Sequence, residues 1–393
     1  MKVRNFIEDV GGASRVTKRR QAVYDKASNT PKPFDPIGDT AKKLHPGFID
    51  LTVTSVRQSG KDARTIRFTA DHLPYFKAGQ FMTLRMKIGD SIVTRPYSIS
   101  SAPYETRGEA PFIEITVRRP RKDGFAADWL YDNVKEGDTF TGEAGLGEFC
   151  HEPLRDADRI MALAGGSGIT PFVSMAKEIR NGKMKADLTI LYGSRNEEEI
   201  ILKEELEECI CDHVRVIHVL SEPEEGWTGE TGFLTKELIG KYTQGDTSYF
   251  ICGPQVMYAY MLKQLEEMNV PKRRIRCEVF GQAADITKDT SYPSEIKDSV
   301  FDLRVEQGTA SQVIPARADE SIAAALERAG IVIHTRCRSG ACGICRIKVL
   351  SGRYHVRTEN DGRRAADKEF NYVHACAAYP LSDLTVKINI PMQ

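Results

Sequence analysis

The sequence predicts a multidomain chain: an antiparallel β-barrel, then an α/β region built on a parallel sheet, then a smaller α+β region. Three observations predict it. From Gly47 to Phe149, short alternating runs (Phe48 to Val56, Thr65 to Thr69, Phe81 to Met86, Ile92 to Ile99, Phe112 to Val117, Asp138 to Thr141) are broken by Gly, Pro and Asp, at the spacing of a small barrel. After Phe149 the pattern alternates strand and helix, which implies a parallel sheet with ligands at the strand C-termini. The last region, Val300 to Gln393, places strands at 300–305, 312–315, 346–350 and 384–390 around one helix, Ser321 to Ala329.

Length and composition bound the possibilities. At 393 residues the chain accommodates two or three domains. Lys+Arg and Asp+Glu balance at 55 each, so neither nucleic acid nor a charged membrane surface is an expected partner. The opening Met1 to Val10 has no long apolar core, so a secretory signal is not expected, and no apolar run is long enough to span a bilayer. The nine cysteines are clustered, which favours metal binding in a reducing compartment over a disulfide framework, and the expected location is the cytoplasm.

Residues 1–45 stand apart. They carry the basic run Lys18-Arg19-Arg20, the Pro-rich run Thr30 to Pro36 and an excess of positive charge, and read as a surface-hugging or loose tail, with a partner-docking arm as the alternative. The barrel spans 46–150 and the α/β region 151–281. Residues 282–299 are polar without apolar periodicity and read as a linker, and the last domain spans 300–393.

Cys337, Cys342 and Cys345 are spaced by four and then two residues, with Cys376 far downstream. That is the spacing of a plant-type [2Fe-2S] site. A zinc ribbon would want two Cys-x-x-Cys pairs, and this region has one. A Rieske arrangement needs two histidine ligands in patterns that are absent, so His374 reads as a neighbour of the cluster. Small residues within the loop (Ser339, Gly340, Ala341, Gly343) let backbone N–H groups approach the sulfurs.

Three further motifs accompany the cysteines. The first is Thr94-Arg-Pro-Tyr-Ser-Ile-Ser-Ser-Ala-Pro103, the second Gly165-Gly-Ser-Gly-Ile-Thr-Pro171 after a buried strand and before a helix, and the third Cys252-Gly-Pro-Gln-Val-Met257. Together they resemble the ferredoxin-NADP reductase family of flavoproteins, and the cysteine region, with Tyr372 to Pro380, resembles a plant-type ferredoxin of β-grasp fold. The resemblance covers residues 46 to 393. It implies that Arg95 holds the flavin pyrophosphate, Tyr97 (after Pro96) stacks on the isoalloxazine and Ser98 bonds near N5. It implies FAD more than FMN.

The family's Gly-x-x-Ser before a helix is Gly124-Phe-Ala-Ala127 here, so backbone donors at Gly124, Ala126 and Ala127 replace a lost hydroxyl. Gly165, Gly166, Gly168, Thr170 and Pro171 are the implied pyrophosphate turn of NADH or NADPH. Ser194 and Arg195 stand where the adenosine ribose is met. They suit a 2′-phosphate, whereas Glu197, Glu198 and Glu199 oppose one, which leaves the nucleotide open. Cys252, Gly253, Pro254 and Met257 are implied beside the nicotinamide, and Glu278 near the flavin, so Ser98, Cys252 and Glu278 form the candidate catalytic set.

The resemblance implies an NAD(P)H-dependent iron-sulfur flavoprotein reductase delivering electrons to an acceptor metalloprotein such as an oxygenase or hybrid-cluster protein. A redox-sensing role and direct reduction of a small substrate at the flavin are the alternatives. Between Ala329 and Thr358 there are six Lys/Arg (Arg336, Arg338, Arg346, Lys348, Arg353, Arg357) and no acid, so an acidic docking face is expected on the acceptor.

Overall fold

The computed structural model describes residues 6–27, 35–119, 124–283, 285–357 and 361–388. The chain divides into two compact units, residues 1–44 and 45–393. In the first, the expected tail is helical: α1 spans Phe6–Asp25 and α2 Pro36–Leu44. Good helix formers such as Ala13, Arg15, Lys18, Arg19, Arg20 and Ala22 explain α1 despite its lack of a clear apolar face. The Asp35 carboxylate accepts from the Gly38 N–H (3.0 Å) and starts α2, with Pro36 at the first helical position. Most of the Pro-rich run lies outside the described residues.

The second unit opens with six antiparallel strands: β1 Phe48–Gln58, β2 Ala63–Thr69, β3 Phe81–Ile88, β4 Ser91–Ser98, β5 Ile113–Arg118 and β6 Thr139–Leu146. Their order is β4-β3-β6-β1-β2-β5, and an antiparallel bridge from Ile99 to Ile115 joins the two ends. That bridge curls the sheet into a barrel, with Leu51, Ile66, Phe68, Met82, Leu84 and Ile115 inside it. Helix α3, Phe125–Asn133, packs Ala126 and Leu130 into the same core.

The parallel sheet runs β10-β9-β8-β7-β11-β12. Its strands are β7 Arg159–Gly165, β8 Asp187–Ser194, β9 Val214–Leu220, β10 Glu230–Thr231, β11 Thr247–Cys252 and β12 Ile275–Cys277, flanked by α4 Thr170–Arg180, α5 Lys203–Cys209, α6 Lys236–Tyr242 and α7 Gln255–Glu267. The chain leaves β7 toward β8 on one side and returns through β11 on the other, so the crevice above β7 is the topological switch point. All six residues of β11 are buried, as a central parallel strand requires.

The third region is a mixed sheet, β14-β13-β19-β15-β17, with a two-stranded β16-β18 beside it. Its strands are β13 Val300–Gln307, β14 Ala310–Arg317, β15 Arg346–Ser351, β16 Tyr354–Val356, β17 Tyr372–His374, β18 Ala378–Pro380 and β19 Leu384–Ile388. Helix α8, Ile322–Arg328, is capped by the Ser321 hydroxyl and buries Ile322, Ala325 and Leu326 against the sheet; a short α9, Ala365–Glu369, follows later. The sequence reading extends the last strand to Ile390, and residues 389–390 lie outside the described residues. The expected linker is packed: Ile286 and Tyr292 are buried with Tyr379, and Asp289 meets His355 at 3.3 Å. Its apolar side chains are too few and irregular to show as a period.

Phe250 sits at the centre of β11, fully buried and edge-on to Phe149 (5.2 Å). Replacing Phe250 with Ala is expected to lower the unfolding free energy by about 3–5 kcal/mol in a denaturant titration. A loss under about 1 kcal/mol would mean that this core can collapse around the gap.

Candidate functional site

The turn after β7 forms a 3₁₀ segment, Gly166–Ile169, before α4 begins. Gly165, Gly166 and Ser167 line a cavity of about 820 Å³ above the switch point, together with Ser194, Arg195, Gly253, Pro254 and Met257. Seven of the nucleotide residues expected from sequence are thereby gathered in one place, and Ser167 joins them. Gly168, Thr170 and Pro171 are not in the lining. Thr170 directs both its N–H and its hydroxyl to the Ser167 carbonyl (3.0 Å for the hydroxyl), because the 3₁₀ turn sets α4 back from the crevice. Gly168 serves packing: a Cβ there would stand 2.1 Å from the Cys252 carbonyl oxygen.

Arg118 and Arg119 also line the cavity, and sequence reasoning missed them. Arg118 lies over Gly166, where a Cβ would come within 2.7 Å of its guanidinium, and it pairs with Glu199 at 2.7 Å. They end a barrel strand with no nucleotide motif around them, and only the tertiary fold brings them to the glycine turn. The acids after Arg195 are largely neutralised: Glu199 by Arg118, and Glu198 by Lys61 at 2.6 Å, while Arg195 itself lies 3.6 Å from Glu222. A glycine-lined crevice with flanking guanidinium groups suits a dinucleotide pyrophosphate.

Cys252 and Glu278 meet beside the C-terminal end of β11. The Glu278 N–H donates to the Ile251 carbonyl (3.2 Å), and the Tyr258 hydroxyl donates to the Glu278 carbonyl. From β4 of the barrel, the Ser98 hydroxyl donates to Glu278 Oε2 at 2.8 Å, so two of the three candidate catalytic residues are in direct contact. Burial lifts the Glu278 carboxyl to about 8, with the Ser98 hydrogen bond opposing the shift. Burial likewise pushes the Cys252 thiol well above its ordinary value, so it is a neutral, shape-filling group and not a thiolate.

On β4, Tyr97 is half-buried, and burial raises its phenol, which stays neutral. Pro96 pairs with Thr83 in the β3 ladder. Arg95 is engaged by a protein carboxylate: Glu327 of α8 meets its guanidinium at 3.0 Å, and Arg338 meets the same carboxylate at 2.5 Å. Two guanidinium groups on one carboxylate leave one net positive charge beside the β4 motif, which suits a phosphate. The start of α3 is less open to one than its sequence suggests. Gly124 N–H donates to the Asp128 carboxylate (3.0 Å), while Ala126 and Ala127 turn their methyl groups into the barrel core and offer only backbone groups.

The four cysteines fall into two pairs, Cys337 with Cys342 (Sγ–Sγ 3.2 Å) and Cys345 with Cys376 (3.3 Å). Among the described residues, no group of three or more His, Cys, Asp or Glu side chains is arranged to hold a single metal ion. Two cysteine pairs suit a two-iron group better than a single zinc, and Cys337, Cys342, Cys345 and Cys376 would be its ligands. Positive φ at Gly340 (89°) and Gly343 (73°) lets the loop curl round the sulfurs. The buried His374 ring bonds through Nδ1 to the Gly340 carbonyl at 2.6 Å, bracing the loop from outside. Cys342 is exposed, whereas Cys337, Cys345 and Cys376 are buried.

Among the cations expected on this face, Arg336 is held by Glu143 (2.6 Å), Arg338 by Glu327 and Arg346 by Asp367 (3.0 Å). Their acidic partners lie outside residues 329–358, Glu327 and Asp367 on either side and Glu143 in the barrel, which is why the stretch looks uniformly basic on paper.

Since the native state holds the Glu278 proton far better than the unfolded chain does, stability falls as pH rises from about 4.5 to about 8. Reduction of bound flavin by NADH in stopped flow should also slow as Glu278 loses its proton, with an apparent pKa near 8. Glu278→Gln is expected to flatten both profiles over that range. An unchanged rate profile in that variant would assign the titration to another group.

The sequence matches the Oxidoreductase FAD-binding domain family over residues 50–151, the Oxidoreductase NAD-binding domain family over 162–263 and the 2Fe-2S iron-sulfur cluster binding domain family over 305–381. It is 30% identical to the ferredoxin reductase component of 3-ketosteroid-9-alpha-monooxygenase from Mycolicibacterium smegmatis, over 88% of this chain and 98% of that protein. It is 28% identical to the glycine betaine monooxygenase reductase subunit of Chromohalobacter salexigens, over 90% and 98%. The structure of phthalate dioxygenase reductase shares the fold, with a TM-score of 0.63 at 22% identity, covering 88% of this chain and 98% of that one. The chain therefore belongs to the family of ferredoxin-reductase-type iron-sulfur flavoproteins, NAD(P)H-dependent oxidoreductases that carry electrons through FAD to a [2Fe-2S] cluster and on to an acceptor protein.

Proposed function

We propose that this chain is the reductase component of an oxygenase system, with a flavin module at 46–150, a nucleotide module at 151–281 and a cluster module at 300–393 joined by 282–299. The carrying observation is the convergence of the β4 motif, the Cys252–Glu278 corner and the cysteine loop on one seam. The Gly281 N–H, three residues after Glu278, donates to the Cys337 carbonyl at 3.0 Å. Flavin between a nicotinamide and a [2Fe-2S] group converts a two-electron donor into single-electron steps. The oxygenase reading is supported by the relatives, which are named as reductase components of monooxygenases.

The chain's own residues supply alignment. The cavity holds the dinucleotide against Gly165, Gly166 and Ser167, with Arg118 and Arg119 facing its phosphates and Ser194 and Arg195 its ribose. Gly253, Pro254 and Met257 set the depth of the nicotinamide end beside the neutral Cys252 thiol. Tyr97 presents a flat aromatic face, Ser98 holds its hydroxyl on Glu278, and Glu278 keeps a proton in reach. Arg95 lends charge to the flavin phosphates, and Ala126 and Ala127 lend backbone donors. Cys337, Cys342, Cys345 and Cys376 hold the iron.

Anaerobic addition of NADH or NADPH should bleach the flavin and then the cluster, and either nucleotide should support cytochrome c reduction. Cys337→Ser should abolish cytochrome c reduction while ferricyanide reduction at the flavin persists. If neither nucleotide bleaches the flavin, the reductase reading fails, and cytochrome c reduction surviving in the serine variant would move the outlet to the flavin.

The acceptor docks at the exposed Cys342 edge, through an acidic face that meets Lys348 and Arg353. Arg338 is buried in an ion pair and takes no part. Transfer to the acceptor should slow with rising salt, and the double change Lys348→Glu with Arg353→Glu should slow it about tenfold. Salt-independent transfer would remove the electrostatic element of docking.

A further inference from the structure

One carboxylate ties the flavin strand to the cluster loop. Glu327, on the last turn of α8, is 4% exposed, and Arg338, the residue after the cluster ligand Cys337, is 3% exposed. Glu327 Oε1 accepts from Arg338 at 2.5 Å, from Arg95 Nη1 at 3.1 Å and from the Thr94 N–H at 3.3 Å, and its Oε2 accepts from Arg95 at 3.0 Å. The carboxylate therefore touches the backbone and side chain of β4 just before Tyr97, and the cluster loop just after Cys337.

A buried carboxylate is tolerated only when fully partnered, and this one is partnered from both modules. The loop is bent to reach it. Arg338 is a non-glycine residue at φ 58°, a left-handed conformation that L side chains rarely adopt, so the surrounding contacts must hold it there. A second seam lies nearby, where Glu143 of β6 holds Arg336. Together they grip the cluster loop on both sides of Cys337, and of the two anchors only Glu327 also touches the strand bearing Tyr97 and Ser98.

We infer that Glu327 is a positioning residue for electron transfer between the flavin and the [2Fe-2S] cluster, fixing the gap and orientation of the two sites by clasping Arg95 and Arg338 at once. This rests on the reductase reading. Each transfer takes one electron from reduced flavin and adds one to the cluster, so two transfers clear one hydride and its proton returns to solvent. The rate of each depends steeply on the gap, and rigid second contacts are what hold such geometry.

The test uses the full-length protein loaded with flavin and cluster, with every rate normalised to bound flavin. Glu327→Gln keeps the shape and removes the charge; Arg338→Gln removes the other side. In rapid-mixing experiments with the nucleotide that bleaches the unaltered protein, cluster reduction followed by its electron paramagnetic resonance signal should slow at least tenfold in each variant. Ferricyanide reduction through the flavin should stay within twofold, and the iron content and line shape of the cluster should be unchanged. The double variant should be no slower than the slower single one, because both changes open the same clasp.

Unchanged cluster reduction in both single variants would overturn the inference. So would a parallel fall in ferricyanide reduction, which would place Glu327 upstream at the flavin. Multiplying defects in the double variant would also overturn it. Failure of the unaltered protein to bleach at all would instead sink the reductase reading.

Discussion

Everything in the second unit converges on the segment from Ile275 to Gly281. β12 adds to the parallel sheet beside β11, which places Glu278 against Ile251 and next to Cys252. The Glu278 side chain then reaches Ser98 in the barrel, Phe280 packs edge-on to Phe81 (4.9 Å), and Gly281 donates to Cys337. Seven residues thus touch the central strand β11, the barrel and the cysteine loop in turn. Because strand pairing fixes the register of β12, a slip of one residue would turn Glu278 away from Ser98. The Ser98–Glu278 contact and the Gly281–Cys337 contact are set by the same backbone.

Charge is distributed along this seam in a consistent way. Where the C-terminal end of β11 meets the barrel, the protein groups are neutral: a thiol raised by burial, a carboxyl raised to about 8 and a phenol raised further. Where modules are held together, the groups are ionic and buried. Glu327 has its two arginines, and Arg57 of the barrel joins the buried Glu114 (2.7 Å) to Glu205 of α5 (2.8 Å). Desolvation explains both. An uncompensated charge at the crevice would be costly, so those groups hold or keep their protons, whereas a paired charge at a seam can stay ionised.

The architecture was legible because it is written in local periods and glycine turns: the alternating barrel strands, the strand–helix rhythm and the cysteine spacing all survive in the fold. The cysteine spacing and the glycine turn stand out in sequence because close packing round a ligand fixes them, and the structure pairs Cys337 with Cys342 and Cys345 with Cys376 and lines the crevice with Gly165 and Gly166. What sequence could not show depends on distant partners. The basic look of residues 329–358 is reduced once Glu143, Glu327 and Asp367 are brought alongside Arg336, Arg338 and Arg346. Arg118 becomes part of the crevice only because the barrel leans on the glycine turn. The 3₁₀ turn at 166–169, which takes Thr170 out of the lining, carries no signal distinguishable from a helix start.

The packed connection between the nucleotide and cluster modules bears on how electrons leave. A polar linker would let the cluster module swing, presenting first one face and then another. Residues 285–299 do not behave as one: Ile286 and Tyr292 are buried, Tyr292 stands edge-on to both His355 and Tyr379, and Asp289 reaches His355. Tyr379 is three residues from Cys376, so this packing braces the segment that carries the fourth ligand. With Glu327 and Glu143 gripping the opposite side of the loop, the module is held at both ends of its ligand set. Three of the four thiols then face protein and one, Cys342, faces solvent, so the cluster is asymmetric by construction. An acceptor docking as proposed would meet Cys342 at an edge that the surrounding packing holds in place.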